Sequence, residues 1–326
     1  MKTAMVSSEA ELIKKRKTSE AKLMKRRKLR KLWDEQKYLF FMILPCLVYY
    51  FVFHYMPMYG VIIAFKDFDI VKGIMGSPWV GLDNFIQFFE GPYAWRLIRN
   101  TLLLSLYNLI FYFPIPIIFA LFLNEVKNKW FKKAVQTISY LPHFVSVVIV
   151  VGMLQSMLSP STGIINRIIT SIGGEPINFF MQPNWFRTLY ISSTIWQEFG
   201  WGSIIYLSAL SSVDGGLYEA ASLDGAGRFR CMWHVTLPAI RPTIIVLLIL
   251  KVGNLLTVGY EKVIMMYNPG VYDTADIISS YVYRVGISQA NYSFGTAVGL
   301  MNSVVSMILI LLTNSVSKKL TETSLW

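Results

Sequence analysis

The sequence predicts an all-α integral membrane protein with six transmembrane helices, and three observations lead there. The apolar fraction is 54% and the charged fraction 15%, against about 45–50% and about 25% in soluble domains. Whole stretches carry no charge, and Lys and Arg collect in alternate connecting segments. A helix needs about 20 mostly apolar residues to cross a hydrocarbon core about 30 Å thick. The charge-free stretches therefore set the span count.

The first span, 38–65, lies between Lys37 and Lys66 with no charged residue inside it. It closes at Lys66-Asp67-Phe68-Asp69, and an extracytoplasmic segment, 66–95, follows. That segment is punctuated by Gly73, Gly76, Pro78 and Gly81 and holds a short amphipathic stretch over 82–89. A five-helix core over 96–317 comes next. Its first span, 96–124, contains Pro114 and Pro116, which should kink it, as membrane helices tolerate when neighbours satisfy the freed carbonyls. The third span, 134–158, is expected to start near Tyr140, with loop residues over 159–184 beyond it. Within the fourth span, 185–212, the run from Thr188 to Val213 is broken only by Glu198, while the fifth, 243–267, carries Lys251, Glu261 and Lys262. The sixth, 294–317, contains Gly295 and Gly299, a small-xxx-small spacing read as helix packing. Residues 318–326 form a C-terminal tail.

Basic residues orient the chain. Thirteen Lys and Arg lie in the tail 1–37, four in 125–133, three in 214–242 and two in the C-terminal tail. The alternate segments hold two in 66–94, two in 159–187, and Arg284. Twenty-two against five places both termini in the cytoplasm. The apolar run after the basic tail is long enough to span a bilayer, and no small-residue cleavage site follows it, so the tail is not a signal peptide. Its runs over 14–17 and 25–31 read as a juxtamembrane segment on anionic lipid, not as a nucleic-acid site. Cys46 and Cys231 fall on different elements and cannot pair. His54, His143 and His234 stand apart with no ligand spacing, so no metal is expected.

Function is concentrated in the segment 214–242. Residues 217–223 form a good helix, Asp224-Gly225-Ala226-Gly227 a turn, and 228–235 a second short helix with Phe229, Met232 and Trp233 on one side. Leu237-Pro238 is expected to stop that helix, and Pro242 opens the fifth span. Two short helices about a glycine turn make a compact docking knob.

Glu219-Ala220-Ala221, Asp224-Gly225-Ala226, then Leu237-Pro238 and Pro242 resemble the EAA loop of binding-protein-dependent ABC importer permeases of the type I, MetI-like fold. The flanks agree: Trp196 to Leu207, Gly259-Tyr260-Glu261, Tyr283 to Gly286, and Tyr140 to Ser146. Together these look like the carbohydrate-uptake subgroup called LplB-like, whose members include permeases for alginate and other oligosaccharides. The resemblance covers about 33–320. It implies a subunit in the cell membrane that pairs with a second, homologous permease. It also implies two ABC ATPase subunits bound on the cytoplasmic side, an extracytoplasmic solute-binding protein, and an oligosaccharide or sugar as substrate. Glu219 would touch the ATPase, Gly225 would form the turn, and Ala220 and Ala221 would allow close approach.

This chain is expected to be the pore and not an enzyme. Gly-Lys never occurs as a dipeptide, so a Walker A loop is missing and ATP and Mg belong to the partner subunits. Polar groups inside spans are candidates for the substrate pathway: Glu198, about 22 Å from the inner end of its helix at 1.5 Å per residue, and Lys251 and Lys262, either of which could pair with it. Trp196, Trp201, Tyr206 and Tyr260 could face sugar rings, with Gln197, Asn254 and Asn302 donating hydrogen bonds. The alternatives are an ABC permease for another solute class or a secondary transporter. The lack of a visible internal repeat weakens the second of these.

Overall fold

The structure is a computed structural model that describes residues 36–256 and 259–321, the last two by backbone only. The basic tail over 1–35 and residues 322–326 lie outside the described residues. The described residues are helical apart from turns and one isolated antiparallel bridge, Lys66 to Trp79. The chain divides into two compact units, Met1–Val61 and Ile62–Trp326.

Helix α1, Gln36–Phe65, is 30 residues long with no buried residue in its most apolar stretch. Beyond it, Lys66 folds back so that Nζ donates to the carbonyls of Ile74 (2.7 Å) and Ser77 (3.2 Å). Helix α2, Asp83–Glu90, follows. Helix α3, Ala94–Asn124, runs unbroken for 31 residues. Its prolines are accommodated by a π-turn over Asn108–Tyr112 just before Pro114, which supplies the backbone slack that the missing proline N–H groups demand.

The third span differs from expectation. It is two helices, α4 (Lys129–Tyr140) and α5 (Val147–Met157), joined by a 3-10 turn over Leu141–Phe144 and bent by 97°. Each starts on its own cap: the Asn128 side chain accepts from the backbone N–H of Trp130 and Phe131, and Ser146 accepts from Ile149. Two caps in one apolar run mark two helices. Helix α6 is Ile164–Ser171, and α7, Pro183–Ser211, is a single rod of 29 residues. Helix α8, Gly215–Leu223, and α9, Arg228–Ala239, carry the segment singled out above.

The fifth span is also broken. Helix α10, Arg241–Gly253, is bent by 60° from α9, stops at Asn254, and the chain resumes as α11, Tyr260–Met266. Gly253 and Gly259 flank the gap, and the lysines that made the span polar sit on either side of it. After a short α12, Ile278–Val282, and a π-turn, α13 runs over Tyr292–Thr321. Helices α1, α3 and α13 are long and apolar enough to cross a bilayer, with up to five such spans if each bent pair counts as one.

Three apolar clusters hold the second unit together. One joins α3, α5, α7 and α11 through Leu104, Val151, Phe186, Leu189, Tyr190 and Val263. A second packs Phe88, Leu97 and Ile278 on Phe294 and Val298. At the other end of α7 the third gathers Ile117, Leu121, Tyr206, Leu210 and Ile240.

Of the two glycines read as a packing pair in α13, one has a backbone partner. A Cβ on Gly295 would lie 2.8 Å from Cα of Gly286, whereas one on Gly299 meets nothing within 4 Å. The close approach is therefore Gly286 on Gly295. Gly295→Val should cost about 1–3 kcal/mol of stability by overpacking, read as a lowered Tm of the purified protein in detergent, while Gly299→Ala should leave Tm unchanged. Equal effects would contradict this packing.

Candidate functional site

The segment 214–239 grows directly from the C-terminal end of α7. Asp214 caps α8, its Oδ1 accepting from the Gly216 N–H at 3.0 Å. Helix α8 ends in a Schellman-type turn: the N–H of Ala226 donates to the Ala221 carbonyl (2.9 Å) and that of Gly225 to Ser222 (3.0 Å). Gly225 sits at φ +77°, a left-handed conformation that disfavours residues with a Cβ. The Asp224-Gly225 turn thus has a local physical cause.

Helix α9 has two faces. Met232 and Leu237 pack on the third apolar cluster, beside the fully buried Ile240. Phe229 and Trp233 are exposed (75% and 68%), as are Leu217 and Leu223 on α8. The expected grouping of Phe229, Met232 and Trp233 on one side is not what forms. A π-turn over Met232–Thr236 widens the helix, so Met232 turns inward. Nor does Leu237-Pro238 stop the helix, which continues to Ala239. Glu219, Ala220, Asp224 and Gly225 are exposed, while Ala221 and Ala226 are half-buried. The result is an apolar knob anchored on one side and open on the other.

The candidate pathway residues fall into several places. Lys251 and Asn254 line a cavity of about 190 Å³ with Ser105, Asn108, Tyr190, Thr194 and Gly259. Tyr190, Thr194 and Gly259 also line a neighbouring cavity of about 310 Å³ that takes in Gln197, Glu198, Tyr260, Glu261 and Lys262. The two share a wall at the broken fifth span. Irregular backbone at membrane depth is tolerated where it lines a cavity, and Ser105 Oγ meets the free carbonyl of Leu255 there. Tyr260 and Asn302 also border a third cavity. Two candidates are placed elsewhere: Tyr206 is buried in the third apolar cluster and Trp196 is half-exposed, lining none of these cavities. Gln197 is buried and donates to the Val145 carbonyl at 2.8 Å, which holds the bend between α4 and α5.

Glu198 pairs with neither lysine. Its Oε2 lies 2.9 Å from Nδ1 of His143, whose ring stacks on Trp201 at 4.4 Å and 2°. His143, read as isolated, is therefore Glu198's partner, brought there by the bend after α4. Lys262 is buried, donates to Thr194 Oγ1 at 3.1 Å and sits over the Tyr190 ring; Lys251 lies over Tyr112. Among the described residues no group of three or more His, Cys, Asp or Glu is placed to hold a metal ion.

Sequence reasoning missed a second charged group at the far end of α7. Asp276 is fully buried and receives Arg284 Nη2 at 2.6 Å and Arg96 Nη2 at 3.5 Å. Ser280 donates to its other oxygen, and Asn100 Nδ2 donates to its backbone carbonyl at 3.0 Å. Burial opposes the charge on Arg284, but the hydrogen bond and charge of Asp276 more than offset it, so the guanidinium holds its proton above the ordinary arginine value. Arg96 lies 180 residues away in the chain, so no local pattern could have announced the pairing.

An all-α membrane protein with cavities beside a broken helix, and an exposed apolar knob at one end, has the build of a transmembrane pathway subunit. Comparison with known proteins gives its family. Residues 112–322 match the family described as binding-protein-dependent transport system inner membrane component, and the chain belongs to it. It is 49% identical to the polygalacturonan/rhamnogalacturonan transport system permease protein YteP of Bacillus subtilis (strain 168), over 90% of this chain and 91% of that one. Identity to protein LplB of the same organism is also 49%, over 89% and 91%. The fold matches a chain in the crystal structure of a bacterial ABC transporter involved in the import of the acidic polysaccharide alginate, with TM-score 0.83 and 45% identity over 90% and 99% of the two chains. The resemblance read from the EAA-type segment is borne out, and this chain is a permease subunit and not itself the ATPase.

Asp276→Asn removes the carboxylate that Arg96 and Arg284 share. Breaking one partner out of a buried ion cluster costs about 3–5 kcal/mol, whereas losing an exposed pair such as Lys72–Asp69 costs under about 1 kcal/mol. Thermal unfolding in detergent should show a large drop in Tm for Asp276→Asn and almost none for Asp69→Asn; similar Tm values would contradict the clamp.

Proposed function

We propose that this chain is one of two permease subunits that form the membrane pathway of an ATP-driven importer for an oligosaccharide or sugar. A solute-binding protein delivers the substrate from outside, and two ABC ATPase subunits, carrying ATP and Mg, drive the cycle. The observation that carries this reading is the segment 214–239: Glu219-Ala220-Ala221 and Asp224-Gly225-Ala226 lie on an exposed, glycine-turned knob whose other face is packed on the inner end of α7. A hydrophobic knob of this kind suits a cleft on a cytoplasmic ATPase. The carbohydrate assignment draws on the relatives, whose names refer to polygalacturonan, rhamnogalacturonan and alginate.

Six crossings follow if α7, the bent pair α4 and α5, and the broken pair α10 and α11 are counted with α1, α3 and α13. With both termini cytoplasmic, the knob then faces inward and the Asp276 clamp outward. A secondary transporter would have no use for the knob, and an ABC permease for another solute class would keep it but take a different cargo. Lys251, Asn254, Glu198, Tyr260 and Gln197, gathered about the broken fifth span, are the residues placed to line the path.

Gly225→Asp adds a Cβ and a charge at a left-handed position of the knob, and Glu219→Ala removes its polar contact, so both should leave the protein inserted yet weaken ATPase association. Co-purification of the ATPase and ATP-dependent uptake in proteoliposomes should fall together, at least tenfold for Gly225→Asp and less for Glu219→Ala, while the solute-binding protein binds sugar normally. Full ATP-dependent uptake by Gly225→Asp would refute the coupling role.

A further inference from the structure

The N-terminal half of α4 carries positive charge that the described carboxylates leave unpaired. Lys127, Lys129, Lys132 and Lys133 fall within seven residues, and after Glu125 the next acidic residue is Glu175. None of the four lysines has a carboxylate in bridging distance among the described residues. Lys127, Lys129 and Lys133 are exposed, and Lys132 is half-buried.

The helix does not favour that charge there. A helix N-terminus is the positive end of the backbone dipole and prefers anions, yet the first turn of α4 contains no acidic residue. Its N–H groups offer an anion little, because Asn128 Oδ1 already accepts from Trp130 and Phe131 at 3.0 and 3.1 Å. The lysine ammonium groups are therefore the free donors, and they repel one another until an anion joins them.

Beside the lysines runs an apolar face that the described residues leave open. At 3.6 residues per turn, Trp130, Phe131, Ala134, Thr137 and Ile138 share an arc of about 120°, and all five are exposed. Trp130 is 84% exposed and Ile138 69%. The other side of the helix holds Ser139, buried where α4 meets Gly200 of α7. Lys129 and Lys133, one turn apart, border the open face. An apolar face with a basic border is the pattern of a helix seated at a bilayer surface. Tryptophan then lies at headgroup level, and lysine stems run along acyl chains with their ammonium groups among the phosphates. A protein partner would have to bring both carboxylates and an apolar groove, whereas one anionic lipid supplies charge and chains together.

We propose that this end of α4 is a binding site for anionic phospholipid. Lys127, Lys129, Lys132 and Lys133 hold the headgroup, and the acyl chains lie along Trp130, Ala134 and Ile138. In the orientation proposed above this end faces the cytoplasm, where the leaflet surface is negative. The site is separate in sequence from the basic runs over 14–17 and 25–31, and it does not depend on the cargo.

The test uses the assembled transporter in phosphatidylcholine nanodiscs carrying a trace of photoreactive lipid. Two probes share the same diazirine-bearing acyl chains, one on phosphatidylglycerol and one on phosphatidylcholine, and labelled residues are read by mass spectrometry. Only labels on residues 127–138 count, so lipid held by the basic tail does not enter. The glycerol lipid should label this stretch at least tenfold more than the choline lipid, since each lysine near an anionic surface favours binding by about fivefold. Lys129→Gln with Lys132→Gln and Lys133→Gln should bring the two probes within twofold of each other, and the three arginine counterparts should keep the preference. Co-purification of the partner subunits checks assembly; where the triple variant fails it, Lys129→Gln alone should still lower the preference at least threefold. Equal labelling of the wild type by both probes, or a glutamine variant with the wild-type preference, overturns the site. No lipid label on this stretch, with the face shielded by an ATPase or a second permease, overturns it as well. The readout is binding and not uptake, so each of these results leaves the permease reading standing.

Discussion

The second unit depends on one close backbone contact, that of α7 with the end of α4. A Cβ on Gly200 would run into the carbonyl of Ser139, so only glycine lets the two chains approach this closely. The approach puts His143 against Glu198 and Trp201 and lets Gln197 cap the Val145 carbonyl. From the same rod the Asp276 clamp lies at one end and the knob, three residues past Ser211, at the other. Helix α7 is about 43 Å long at 1.5 Å per residue. A rod of that length, packed into apolar clusters at both ends, joins the exposed knob to the buried charged clamp at the opposite end.

The polar interior has a related cause. A membrane span stays regular when each backbone group finds its partner within the helix. Between α10 and α11 that condition lapses, and freed carbonyls such as that of Leu255 take side-chain donors from α3 instead. Lys251, Asn254 and Lys262 border the break and line cavities there, which is where polar groups in a span are least costly. The same irregularity that ends the helix therefore makes room for a hydrophilic cavity.

Much of this was legible in the sequence. Charge-free runs marked α1, α3 and α13, and Glu219 to Pro238 marked the knob, because a glycine turn and its flanking helices are local and leave a local pattern. The bends were not legible. Tyr140 to Ser146 reads as apolar and continuous, and only the capping geometry of Asn128 and Ser146 divides it. The rotation of Met232 away from Phe229 and Trp233 comes from a π-turn, which a regular helical period cannot register. Pairings at long range were also hidden: Glu198 with His143 in place of a lysine, and Asp276 with Arg96. Each depends on how helices are placed and not on spacing within one.

In the function proposed above, an ATPase on one side of the membrane grips α8 and α9 and moves the pathway through α7. Leu223 is 90% exposed at the tip of the knob, and Glu175 lies in the connection between α6 and α7. The most direct measurement attaches a photoreactive group through Leu223→Cys, in a background with Cys46→Ser and Cys231→Ser, and identifies what it captures in membranes of cells expressing the whole transporter. An adduct with the ATPase subunit is expected from position 223, and none when the group is attached through Glu175→Cys. No ATPase adduct from position 223, or equal adducts from both positions, would contradict it.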